Sequence, residues 1–102
     1  MSAKTERARA IAWANGNRWK LVAIIRRRNS PVRMMSNTNI IHAEARIAKH
    51  IRKGDILEVI RFSRKTGKLT MAKPCPKCQE ILSKTPVVKI LYSDWDGKMR
   101  KL

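Results

Sequence analysis

Apolar residues in this chain fall into short periodic groups separated by polar, glycine- or proline-containing segments, and each group predicts one element. Leu21 to Ile25 form an unbroken apolar run, which is typical of a strand buried on both faces. Ala43, Ile47 and Ile51 recur every four residues, which indicates a helix with one face in the core. The predicted elements, in chain order, are a helix at residues 3–14, strands at residues 19–27 and 32–35, a helix from residue 42 to residue 54, a strand at residues 56–62, a helix at residues 75–83, and strands at residues 87–92 and 98–102.

This order, α-β-β-α-β-α-β-β, predicts a single α/β domain over residues 1–102, with a mixed sheet of about five strands and helices on both faces. A chain of 102 residues is long enough for one modest core. A turn at Asn29-Ser30-Pro31 is expected to join the first two strands. Asp96-Gly97 is a typical two-residue hairpin turn, so the last two strands are predicted to be antiparallel.

The charge of the chain is strongly unbalanced, with 24 Lys and Arg against 7 Asp and Glu, a net charge of +17. A magnitude of about 2–8 already keeps a small domain soluble, so the surplus predicts a phosphate-bearing partner: a free nucleotide, RNA or DNA. The basic residues predicted to hold a single strand are Arg26, Arg27 and Arg28 at a strand end and Arg64, Lys65 and Lys68 in a loop.

The chain starts without an apolar signal core and has no apolar run of transmembrane length, which predicts a cytoplasmic protein that does not contact a membrane. Its two cysteines are separated by two residues. In a reducing compartment such a pair is expected to ligate a metal or to act as a redox pair, and not to form a structural disulfide.

Two short segments carry the candidate chemistry: His42-Ala43-Glu44 and Pro74-Cys75-Pro76-Lys77-Cys78. Cys75 and Cys78 share one face of the predicted helix, whose positive end favours thiolate over thiol. Two thiolates and one imidazole supply three ligands to a tetrahedral zinc ion, and a catalytic site leaves the fourth position to water. The other histidine, His50, would lie about 12 Å from His42 along a continuous helix, so we expect it at the surface and not on the metal.

Glu44 follows His42 by two residues and therefore points to a different side of the helix. From there its carboxylate can take a proton from water activated by zinc and pass it on, which is general acid–base catalysis. Each half of the pattern has an ordinary alternative, because a lone Cys-x-x-Cys can be a redox pair and a lone His-x-Glu can be a solvated helix face. Together, in this order, the two halves predict a zinc-dependent deaminase.

On these residues the chain resembles the cytidine deaminase-like superfamily, and in element order the resemblance covers nearly the whole sequence. It implies a three-layer fold, zinc ligation by His42, Cys75 and Cys78, and Glu44 as the proton shuttle. It also implies that the backbone N–H of Ala43 helps to hold a pyrimidine carbonyl.

The same resemblance implies substrate contacts outside the metal centre. An asparagine before the motif helix often contacts the sugar, and both Asn37 and Asn39 are candidates. An aromatic residue after the fourth strand often lies against the base. Tyr92 and Trp95 are the candidates, with core or hairpin packing as the alternative.

The predicted C-terminal hairpin resembles free-nucleoside cytidine deaminases and some nucleic-acid-acting and toxin-type deaminases. It differs from the deoxycytidylate, tRNA-adenosine and AID/APOBEC branches, which insert a helix between those strands. Three functions remain open: a hydrolase that deaminates cytosine in single-stranded DNA or RNA, a deaminase of free cytidine or deoxycytidylate, and a non-catalytic, zinc-stabilised nucleic-acid-binding protein. Deaminases of this fold often form oligomers, but no segment of this sequence marks an interface.

Overall fold

The computed structural model of the chain describes residues 3–14, 16, 19–38 and 42–102. The helical elements are α1 (Ala3–Ala14), α2 (Ala43–Ile47), a 3-10 turn (Ala48–His50) and α3 (Pro76–Ser83). The strands are β1 (Lys20–Arg27), β2 (Ser30–Ser36), β3 (Ile56–Phe62), β4 (Leu69–Thr70), β5 (Lys89–Ser93) and β6 (Met99–Lys101). They form one mixed sheet of six strands in the order β2-β1-β3-β5-β6, with β4 paired to the end of β3.

Strand β1 separates two hydrophobic cores. Successive side chains of a strand point to opposite faces of the sheet. Val22 and Ile24 therefore pack on the face that carries α1, whereas Ala23 and Ile25 pack on the face that carries α2 and α3. All four side chains are at most 1% exposed, so the apolar run is buried on both faces as predicted. The predicted α/β class, with a mixed sheet covered by helices on both faces, is confirmed.

The first hairpin turns earlier than the sequence predicts. Arg28 and Asn29 have φ angles of 53° and 65°, and β2 already begins at Ser30. Two consecutive residues in the left-handed region give the tight turn that matches the twist of paired strands, and asparagine tolerates this conformation well. Pro31 lies inside β2 opposite Arg26, next to a register shift in the pairing. A proline is tolerated at such an irregularity because it has no N–H to donate.

The helix predicted from residue 42 to residue 54 is shorter in the structure. It is α-helical only over Ala43–Ile47, tightens into a 3-10 turn, and gives way at Ile51 to extended backbone with ψ of 131°. Ala43, Ile47 and Ile51 are nevertheless buried together, because the 3-10 turn keeps Ile51 on the core side. The residue spacing therefore identified the buried face correctly but overestimated the length of the helix.

The C-terminal hairpin is antiparallel, as predicted, with Ser93 paired to Met99 and Leu91 to Lys101. Its turn is longer than the predicted two residues, because the Asp94 N–H donates to the Lys98 carbonyl and leaves three residues between them. Gly97 has a φ of 83° and provides the left-handed residue that such loops require. No helix among the described residues is long and apolar enough to cross a membrane.

A buried ion pair fastens the end of the sheet where the first hairpin turns. Asp55 is 1% exposed, and its two carboxylate oxygens accept hydrogen bonds from Arg27 Nε and Nη2, each at 2.8 Å. Asp55 Oδ2 also accepts the Arg52 N–H at 2.8 Å. The Arg27 hydrogen bond is the main reason that the pKa of Asp55 lies below its usual value.

We expect Asp55→Asn to lower the free energy of unfolding by about 1–3 kcal/mol near neutral pH, because the substitution removes a charged hydrogen-bond acceptor. The depressed pKa means that the pair stabilises the fold fully above the usual aspartate pKa of about 3.9 and loses this effect as pH falls through the lower folded-state value. The deficit of the variant should therefore shrink in acid. Urea titrations across this pH range measure it, with the exposed Glu80→Gln as the control. A deficit that does not change with pH would contradict the assignment.

Candidate metal centre

Helices α2 and α3 begin next to each other, and their first turns carry the predicted ligands. His42 and Cys75 occupy equivalent positions: each directly precedes its helix and has extended backbone, with ψ of 153° and 163°. Cys78 is the third residue of α3, one turn from Cys75 and on the same side. The two helices pack against the same apolar core through Ala43 and Leu82, which keeps their N-terminal ends together.

The three ligand atoms form a compact group. His42 Nδ1 lies 3.4 Å from Cys78 Sγ and 3.9 Å from Cys75 Sγ, and all three atoms are within 4.8 Å of one another. A tetrahedral zinc ion with bonds of about 2.0–2.3 Å would separate a nitrogen from a sulfur ligand by roughly 3.6 Å. The observed distances bracket this value, so the three residues fit a tetrahedral metal ion.

Glu44 lies beside this group without belonging to it. Its side chain is buried, with 1% of the residue exposed, and Oε1 is 3.3 Å from His42 Nδ1. Oε2 is also buried and has no hydrogen-bond partner among the described residues. A buried carboxylate oxygen without a donor is costly, so such an atom indicates a site where a ligand supplies the missing donor.

The two thiols have different electrostatic environments. The N–H groups at the start of α3, foremost that of Cys78, lower the pKa of Cys75, in agreement with the predicted effect of the helix end. Burial is the main reason that the pKa of the Cys78 thiol is raised, and the Glu44 carboxylate raises it further, so at Cys78 burial opposes the predicted effect of the helix end. A coordinated cation would reverse this, because thiols that bind a metal are deprotonated.

A cavity of about 380 Å³ opens onto His42, Glu44 and Cys75. Asn37, one of the two predicted sugar contacts, also lines it. Asn37 pairs with Leu21 of β1 through two hydrogen bonds. Its side-chain Oδ1 accepts the Leu21 N–H at 3.2 Å, and its backbone N–H donates to the Leu21 carbonyl at 3.1 Å. Asn37 is therefore held at the cavity wall by β1.

The other predicted substrate residues are placed differently. Asn39 falls outside the described residues. Ala43 is buried as the first residue of α2 and is not part of the cavity wall, although the N–H of a first helical residue has no acceptor within its own helix. Tyr92 packs against the core under α2 and α3, and Trp95 is 73% exposed in the last hairpin. Neither aromatic residue lines the cavity.

The predicted basic residues divide between the two ends of the sheet. Arg26 pairs with Glu58 at 3.5 Å and Arg27 pairs with Asp55, while Arg28 is exposed in the hairpin turn. They lie at the far end of β1 from Leu21, about 20 Å away at ~3.3 Å per residue. At the near end, Arg64 and Lys65 line a second depression next to the cavity, and Lys68 lines a third one together with Trp95.

The cavity wall also includes residues that the sequence analysis did not assign to the site, among them Trp19, Arg61 and Lys73. Two signals were available for them. Lys73 directly precedes the Pro-Cys segment, and Trp19 is a large aromatic residue next to the basic Lys20, directly before β1. His50 is partly exposed and lines a separate basic depression with Arg33 and Arg52, so it lies away from the metal group, as predicted.

We expect the chain to bind one zinc ion, and His42→Ala, Cys75→Ser and Cys78→Ser each to weaken zinc affinity by more than about 100-fold, since even indirect partners of a metal account for roughly 10–100-fold. His50→Ala is the matched control and should retain the metal. Elemental analysis gives the stoichiometry, and the thiolate-to-metal absorption of the cobalt-substituted protein reports both sulfur ligands. Retention of full zinc affinity by the Cys78 variant would contradict the assignment.

Comparison of the chain with protein-family models, with curated proteins and with solved structures finds no match.

Proposed function

We propose that this protein is a zinc-dependent deaminase that hydrolyses cytosine to uracil. The observation that carries the proposal is Glu44: a buried carboxylate with an unpartnered oxygen stands beside a three-ligand metal group at the wall of a cavity. Purely structural metal sites have four protein ligands and need no such carboxylate. In zinc deaminases a glutamate that is not a ligand acts as the general acid and base.

We infer that the fold is cytidine deaminase-like. Two observations support the inference. Both ligand segments stand at helix starts on one face of a mixed sheet, and α1 covers the other face. The two cysteines are free, which suits a reducing cytoplasmic compartment where thiols remain available to a metal.

The donor set suits zinc, because imidazole and thiolate are the ligands that this ion commonly takes in proteins. Bound there, zinc would act as a Lewis acid that makes a water molecule a better nucleophile. Glu44 is positioned to accept a proton from that water and to donate protons to the ring nitrogen and the departing amino group. The products are uracil, whose new oxygen comes from water, and ammonia.

The cavity wall provides groups that would orient the substrate. Asn37 is fixed by β1 and is the proposed sugar contact, and the N–H of Ala43 at the start of α2 is the proposed donor to the pyrimidine carbonyl. A volume of about 380 Å³ lies within the range of small-molecule sites, so the cavity is large enough for one nucleoside.

Deamination of free cytidine or deoxycytidylate is the second candidate, and the size of the cavity by itself is compatible with it. The basic residues Arg61 and Lys73 at the wall favour a phosphate-bearing substrate over a neutral nucleoside. A non-catalytic zinc-stabilised protein that binds nucleic acid would leave the buried, unpartnered Glu44 oxygen without a purpose.

We expect Glu44→Gln to reduce kcat for cytosine deamination by about 10²- to 10⁴-fold, because positioned acid–base groups contribute a factor of this size. Gln replaces Glu with nearly the same volume, so the variant should keep its zinc and its fold. The measurement is conversion of cytosine to uracil in single-stranded DNA, cytidine and deoxycytidylate by the zinc-loaded protein.

Glu80→Gln is the matched control, since Glu80 is exposed on α3 and only pairs loosely with Lys84. It should leave turnover unchanged. Equal turnover by the Glu44→Gln and wild-type proteins would refute the proposed role. Absence of turnover on all three substrates by zinc-loaded wild-type protein would favour the non-catalytic alternative.

A further inference from the structure

The cavity that contains Glu44 continues into a second depression. The two share Trp19 and Arg61 as a common wall, and the second extends to Ser63, Arg64 and Lys65 in the turn between β3 and β4. The first cavity is large enough for one nucleoside. The second depression therefore lies where the neighbouring nucleotide of a longer substrate would pass.

Trp19 has the properties of a stacking platform at this junction. Trp19 is 56% exposed, which is unusual for the largest apolar residue, and the Arg61 guanidinium lies 5.2 Å from the centroid of its ring. Nucleic-acid-binding grooves commonly combine exposed aromatic rings with arginine in this way, because every base can stack on a ring regardless of sequence.

The charges at the junction favour an anionic chain. Arg61, Arg64 and Lys65 form no ion pair with a carboxylate in the described part of the chain. Glu44 is the single acidic residue among the described walls of the two depressions, and it is buried. By contrast, Arg26 and Arg27 at the far end of the sheet already have carboxylate partners.

The turn that carries Arg64 and Lys65 is held in one shape before any ligand binds. The Ser63 hydroxyl accepts the Lys65 and Thr66 N–H groups at 3.2 and 3.3 Å, and the Ser63 N–H donates to the Lys68 carbonyl at 2.8 Å. Arg9 of α1 donates a hydrogen bond to the Gly67 carbonyl and fastens the turn to the helix. A preformed turn binds phosphate with less loss of conformational freedom.

We propose that Trp19, Arg61, Arg64 and Lys65 form a strand track for single-stranded nucleic acid: a base next to the target cytosine stacks on Trp19, and the adjoining phosphates contact Arg64 and Lys65. This proposal rests on the proposed deaminase function for the position of the target base. It makes the polynucleotide the preferred substrate over a free nucleotide.

Binding of a short fluorescent oligonucleotide with one central cytosine tests the track without requiring turnover. The titrations use zinc-loaded Glu44→Gln protein and three derivatives of it: Trp19→Ala, Trp19→Phe, and Arg64→Ser with Lys65→Ser. We expect Trp19→Ala to weaken binding by about 5- to 150-fold, the range for loss of one stacked base, and Trp19→Phe to restore most of it.

The double substitution should also weaken binding and make the slope of log K against log salt shallower by about 1.4, because each cation on a single strand contributes about 0.7. The matched control is Lys49→Ser with Lys53→Ser, which removes the same charge from exposed positions at the far end of the sheet. The proposal is overturned if the track variants bind and respond to salt as this control does. Tight, Trp19-independent binding of polyglutamate in competition would also overturn it, in favour of an acidic protein partner.

Kinetics separate this proposal from the function on which it rests. With Glu44 intact, loss of the track residues should lower kcat/KM for the oligonucleotide. The double variant Arg64→Ser with Lys65→Ser should change kcat/KM for deoxycytidylate by no more than about 2-fold, because these two residues lie outside the first cavity. Track-dependent binding without any deamination would remove the catalytic proposal and keep the track. Deamination of the oligonucleotide that the track variants do not change would remove the track and keep the enzyme.

Discussion

The candidate metal centre depends on how α2 and α3 pack against one face of the sheet. His42 and Cys75 precede their helices, and Cys78 and Glu44 lie in the first turns, so none of the four is held in place by a strand. Their distances are set by the apolar contacts that join both helices to β1 and β3. Because tightly packed interiors transmit small displacements, a change of volume in this core would alter the separation of the ligand atoms.

The same arrangement explains why a carboxylate can remain buried there. Glu44 shares the burial of the core beneath it, yet its Oε2 is turned to a place where no described residue donates a hydrogen bond. An apolar side chain of similar size would stabilise the fold better at this position. An acid kept at a cost in stability is typical of a functional site, and Glu44 Oε1 lies 3.3 Å from Nδ1 of His42, one of the three candidate metal ligands.

The basic residues that give the net charge of +17 have different surroundings at the two ends of the sheet. At the end of the sheet marked by the first hairpin, Arg26 and Arg27 neutralise Glu58 and Asp55 and stabilise the fold. At the other end, Arg61 lines the cavity, and Arg64 and Lys65 line the depression next to it, without such partners among the described residues. A polyanion would therefore be attracted to the end of the sheet where Glu44 lies.

Much of this could be predicted from local sequence patterns. The apolar run in β1, the four-residue spacing of Ala43 and Ile47, and the prolines around Cys75 each depend on short-range geometry, and the ligand group follows from them. Other features depend on contacts distant in sequence. The early end of α2, the raised pKa of the Cys78 thiol and the position of Trp19 beside Arg61 arise from packing that no local pattern specifies.

The most direct measurement is the mass of a cytosine-containing single-stranded oligonucleotide after incubation with the zinc-loaded protein in ¹⁸O-labelled water. We expect the exchange of an amino group for labelled oxygen, a gain of about 3 Da at one base, because hydrolytic deamination takes its oxygen from water. An unchanged mass of the oligonucleotide at saturating protein concentrations, together with unchanged masses of cytidine and deoxycytidylate, would contradict the claim that His42, Cys75, Cys78 and Glu44 form a deaminase site.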